Sequence, residues 1–161
     1  MLKKLLVGIL VLSVIGGCNS QTALKYSQGL VKKEQSIMPA MTATEENTKA
    51  FFADKQYDSI AVAGEKMEKL VDEKLKEIRE EPEPDVKGAA AFKEAFIKYF
   101  QFIKSMYTGY KNFGKAATGD ARDQELKKIG ELADKKASVL RDIQAAQQKF
   151  AGDNGFRLET K

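Results

Sequence analysis

The chain predicts an all-α fold, an up-down-up-down four-helix bundle. Three observations carry this. Its 161 residues hold only three prolines, Pro39, Pro82 and Pro84. Ala, Lys, Glu and Leu, which lose little on entering a helix, are abundant, and runs of β-branched residues are rare. Apolar residues recur at three-then-four spacing over four segments, and short breaks separate them, which favours antiparallel neighbours.

The first segment spans about 24–53. Leu30, Ile37, Met41 and Phe51 mark its apolar stripe, which Ser27, Glu34, Thr44 and Thr48 interrupt. Pro39 removes a backbone donor and crowds the preceding turn, so a kink or a split is expected there. The second spans about 59–80, with Asp58 as the candidate N-cap. Ile60, Gly64, Met67, Val71 and Ile78 form its face, with Tyr57 and Leu70 beside it. Glu80-Glu81-Pro82-Glu83-Pro84-Asp85 then ends it, because each proline disfavours helix in the residue before it.

The third segment, about 86–117, carries the strongest pattern. Ala89, Phe92, Phe96, Tyr99, Ile103, Met106, Tyr110, Phe113 and Ala117 repeat in heptad-like fashion, and Phe100 and Tyr107 widen the stripe. A face this broad belongs to a helix with more than one neighbour. The fourth spans about 122–151. Leu126, Ile129, Ala133, Leu140, Ile143 and Phe150 are expected to face inward, and Gly152-Asp153-Asn154-Gly155 is a strong stop. Phe156 and Leu158 follow and are expected to fold back onto the open end of the bundle.

The N-terminus has a different grammar. Lys3 and Lys4 precede an almost unbroken apolar run from Leu5 to Ile15, then Gly16, Gly17 and the only cysteine, Cys18. A positive start, a short apolar stretch and small residues before a cleavage point make a secretory signal. The run falls short of the roughly 20 residues that a membrane span needs. Ile15-Gly16-Gly17-Cys18 resembles the lipobox of bacterial lipoproteins. That resemblance implies a diacylglyceryl group on the Cys18 thiol, cleavage just before Cys18 with Ile15, Gly16 and Gly17 as the peptidase recognition residues, and acylation of the new amino group. Asn19 stands where an aspartate would favour inner-membrane retention in enteric-type bacteria, so the resemblance favours the outer membrane if the cell has one. Residues 1–17 are then the signal peptide, 18–23 a short lipidated tether of about 13–14 Å at most, and 24–161 a single helical domain. The residues Phe92–Tyr110 and the ending Gln147-Gln148-Lys149-Phe150-Ala151 to Gly155-Phe156-Arg157-Leu158 resemble a family of bacterial surface lipoproteins of uncharacterised activity.

Composition narrows the chemistry. Lys and Arg number 27 against 23 Asp and Glu, and two of those lysines lie in the leader, so the remainder is nearly neutral and offers no nucleic-acid footprint. With no histidine, the Glu-x-x-His pairs of di-iron bundles and the histidine-based triads are excluded, and zinc loses its usual ligands. No cofactor and no metal are expected. The carboxylate pairs Glu45 and Glu46, Glu65 and Glu68, and Glu73 and Glu77 lie among lysines and read as solvated surface. Phe96, Tyr99, Phe100, Tyr107 and Tyr110 read as bundle core, or as a groove for an apolar ligand or a partner helix, because each tyrosine hydroxyl needs a partner. The functional expectation is a non-enzymatic, lipid-anchored envelope protein that binds or scaffolds a protein partner. The alternative is a carrier of a small apolar ligand in the bundle interior.

Overall fold

A computed structural model describes residues 9–14 and 18–160, with the side chains of 18–158. Four helices dominate these residues: α1 (Cys18–Ala53), α2 (Tyr57–Glu80), α3 (Ala89–Lys115) and α4 (Gly119–Asp153). Two short strands, β1 (Ile9–Val14) and β2 (Phe156–Thr160), flank them.

Cross-helix pairs show that each helix runs antiparallel to the one before it. Lys33, early in α1, bonds Glu81 just past the end of α2. Along α2 and α3 the ion pairs run in opposite order: Asp72 with Lys104 at 2.7 Å, Glu68 with Lys111 at 2.5 Å, and Glu65 with Lys115 at 3.0 Å. The Phe92 ring, at the start of α3, stacks on Phe150 near the end of α4 at 4.4 Å. Tyr26 of α1 meets Phe92 and Phe150 edge-on, which closes the circuit. The molecule is an up-down-up-down four-helix bundle.

Several boundaries differ from expectation, each for a local reason. α1 is a single helix with Pro39 inside it, not two segments. Residues 35 and 39 are exposed, so the carbonyl that Pro39 leaves without a donor faces water, while buried Ile37 and Met41 hold both sides of the break. α1 also starts earlier, and residues 18–23 are its first turns rather than a tether. Burial of Ala23 and the bond from Ser20 Oγ to the Asn154 carbonyl, 2.7 Å, hold them to the bundle. Asp58 is not the cap of α2. Gln56 takes that position, and Asp58 lies in the first turn, where its charge complements the positive helix end. α4 begins at Gly119, with the Thr118 hydroxyl accepting from the Ala121 amide at 3.2 Å.

Two apolar clusters fill the interior. The larger joins Leu30 and Ile37 of α1, Val71, Leu75 and Ile78 of α2, most of the α3 aromatics, and Ile143 and Phe150 of α4. The smaller holds Ile60, Met106, Phe113 and Ile129 at the opposite end. Leu126, expected inside, is 43% exposed there. Glycines bring α2 and α3 close. A Cβ on Gly64 would lie 2.6 Å from the Lys111 amide nitrogen, and one on Gly114 would lie 2.5 Å from the Tyr57 carbonyl and collide with the Ala61 nitrogen.

Past α4 the chain turns at Gly155, whose φ of +68° suits glycine. Phe156 folds back into the core against Phe150, as the sequence predicts, and Leu158 packs half-buried on the same cluster. β2 pairs antiparallel with β1, Val11 opposite Leu158 and Ile9 opposite Thr160, with an irregularity between Val11 and Val14.

Candidate functional site

Cys18 is exposed, makes no disulfide, and is the first residue of α1. Its carbonyl accepts a side-chain bond from the Thr22 hydroxyl, one turn on, at 3.1 Å. Around it the start of α1, the α2–α3 connection and the end of α4 converge on an open cleft of about 610 Å³, lined by Cys18, Asn19, Lys87, Asp153 and Gly155 among others. The parts are tied together. The Asn154 side-chain amide donates to the carbonyls of Lys87, 2.9 Å, and Phe150, 2.8 Å. Asp153 pairs with Lys149 at 2.7 Å and Lys87 at 3.0 Å, and these two cations hold its carboxyl below the usual range. Cys18 therefore belongs to a helix that Ser20 ties into the bundle within its first turn. Ile15, Gly16 and Gly17, the other residues of the predicted processing motif, lie outside the described residues.

The α3 aromatic residues lie in the bundle core, the first of the two readings that the sequence offers. Phe96, Tyr99, Phe100 and Tyr107 are buried, and Tyr110 is half-buried against both clusters. Tyr99 has its partner: its hydroxyl donates to Glu34 Oε1 at 2.8 Å. Beside Tyr99, the surface between α3 and α4 forms a groove of about 440 Å³ lined by Ala91, Ala95, Lys98, Val139, Asp142 and Ile143.

The most unusual residue is Glu34, one of the polar interruptions of the α1 stripe. It is 2% exposed, and burial pushes its carboxyl up to about 7, against the smaller opposing effect of the Tyr99 hydrogen bond. Burial, with the neighbouring Glu34 carboxylate, raises Tyr99 well above an ordinary phenol. Three turns on, Glu45 is also raised by burial, opposed by Lys136 and Lys49, and Tyr107 and Tyr110 lie within its field. Gln147 is another hidden polar residue, 2% exposed with neither amide atom hydrogen-bonded among the described residues. Both could have been found by position. Glu34 sits four residues after Leu30 and three before Ile37; Gln147 sits four after Ile143 and three before Phe150. Those offsets lie on the core face whatever the side chain.

Glu65 stays at the solvated surface, as read, and pairs there with Lys115, whereas Glu68 is largely covered, pairing with Lys111 and accepting from the Thr108 hydroxyl at 2.6 Å. Among the described residues, no group of three or more His, Cys, Asp or Glu is placed to hold a metal ion, and no helix is long and apolar enough to cross a membrane. No family model, no curated protein and no solved structure matches the chain.

Proposed function

We propose that the chain is a lipid-anchored protein of the bacterial cell envelope, held through acyl chains on Cys18, with a non-catalytic binding or scaffolding role toward a protein partner. The observation that carries this reading is the position of Cys18. The only cysteine follows an export-type leader, and it stands exposed at the first residue of a helix, at one end of the bundle. Acyl chains there would enter a bilayer without disturbing the core. Each buried CH₂ adds about 0.8 kcal/mol, so two or more chains hold stably. With the helix starting at the anchor, the bundle would sit directly on the membrane surface and present its far end outward. The outer membrane is the favoured address if the cell has one. With no histidine in the sequence, histidine-based triads and Glu-x-x-His metal sites are not open to this bundle.

Metabolic labelling with radioactive palmitate tests the anchor. Wild-type protein is expected to carry label and Cys18→Ala none; equal labelling of the two ends the proposal.

The carrier alternative moves to the groove between α3 and α4. Phe96 and Phe100 are too tightly packed to admit a guest, whereas Ala95, Val139 and Ile143 line open space beside Tyr99. A co-purifying apolar compound in native mass spectrometry, lost in Ala95→Phe, would favour it over the scaffold reading.

A further inference from the structure

β2 is short, but it is anchored at its start by Phe156 in the core, and its pairing with β1 shows that one edge accepts an antiparallel strand. Under the lipid-anchor reading, on which this inference rests, β1 belongs to the leader and departs with it. An unpaired strand edge is a template for another strand.

The sequence of β2 says which strand fits. Phe156-Arg157-Leu158-Glu159-Thr160 is self-complementary when paired antiparallel about Leu158. The two copies of Leu158 then face one another on the axis, Arg157 of each copy stands opposite Glu159 of the other, and Phe156 stands opposite Thr160. Opposite charges directly across a strand pair stabilise it, and like charges do the reverse. No bulge is needed, whereas the β1 pairing contains one irregularity. Two-fold pairing of one patch with itself is the commonest way homo-oligomers form.

We infer that the mature protein forms a two-fold dimer on the membrane, in which β2 of one copy takes the edge that β1 vacates on the other. A pair of five-residue strands is marginal in water. The anchor supplies the missing help. Cys18 lines the same cleft as Asn154 and Gly155, the residues that lead into β2, so each strand lies beside its own anchor. Confinement of both copies to one surface raises their effective concentration, as a linker does between two binding modules.

The test uses intact processed protein in native envelopes and a short thiol-to-thiol cross-linker. Leu158→Cys should give a cross-linked species of twice the monomer mass. Thr160→Cys should not, because that register sets its two copies roughly 14 Å apart along the strands. Arg157→Glu, added to Leu158→Cys, places carboxylates opposite one another at both sites and should lower the dimer yield about tenfold. Adding Glu159→Arg as well should restore it. A Leu158→Cys protein that stays monomeric, cross-links to a different chain, or ignores the charge swap overturns the dimer. The parent protein separates the two readings: an acylated Cys18 leaves it no thiol, so a parent that cross-links through Cys18 removes the anchor and the dimer together. A silent parent with a silent Leu158→Cys protein removes only the dimer.

Discussion

The two ends of the bundle are built differently. At the Cys18 end, Tyr26, Phe92, Phe96, Phe150 and Phe156 form a continuous aromatic block, with ring centroids 4.4–6.3 Å apart. Ser20, Lys87, Asp153 and Asn154 tie the chain segments above it. At the far end the buried cluster shrinks to Ile60, Met106, Phe113 and Ile129. α1 buries nothing beyond Met41, and α4 buries only Ile129 before Ile143. Phe52, Val62 and Leu126 stand 48%, 68% and 43% exposed there. Free energy of local opening follows the density of buried apolar contacts. One end is thus rigid, and the other is freer to adjust its surface; under the proposed function these are the anchored end and the end that meets a partner.

The largest effect should come from the aromatic block. Phe96→Ala is expected to cost about 3–5 kcal/mol in chemical denaturation, as for a large buried ring. Val62→Ala at the far end should stay within about 0.5 kcal/mol. Similar losses at both sites would erase the contrast between the ends.

Glu34 comes next. Its folded carboxyl binds a proton more tightly than the unfolded one, so the folded state holds more protons between about pH 4.5 and 7. Its contribution is therefore greatest at low pH and is lost as the pH rises through 7, by about 3 kcal/mol. Glu34→Gln should remove that fall, and unchanged pH dependence of stability in the variant would refute the assignment. Gly114→Ala should cost about 1–3 kcal/mol by forcing α2 from α3, because the new methyl meets backbone atoms of Tyr57 and Ala61. Gln147→Leu should raise stability by about 1–3 kcal/mol, because it removes a buried amide that has no partner among the described residues; a loss instead would mean that the amide has an essential partner. Hydrogen exchange gives the finest reading of the contrast: amides of α1 beyond Met41 should exchange faster than those between Leu24 and Ile37.

The same contrast explains what the sequence made legible. The α3 stripe was readable because nearly every position on its face is apolar, from Phe92 to Phe113. Breaks at Pro82 and Gly155 were readable because those residues restrict backbone choice. Leu126 misled because α4 is amphipathic over its whole length, although its first half has little to pack against. Glu34 stood on the α1 stripe only as an interruption, and Gln147 drew no notice, because a polar side chain does not register as core until packing shows it buried. The glycine contacts of α2 with α3 depend on interhelical distance, which no periodicity encodes. At the Cys18 end, the helical seat of residues 18–23 was not legible, because Asn-Ser-Gln-Thr reads as a loop until Ser20 finds Asn154 across 134 residues.

Mass spectrometry of the N-terminal peptide from protein purified out of native envelopes asks the central question directly. The expected peptide starts at residue 18, with a diacylglyceryl thioether on its sulfur. A peptide that retains residues 1–17, or a residue 18 with an unmodified thiol, would contradict the placement of this bundle on a membrane.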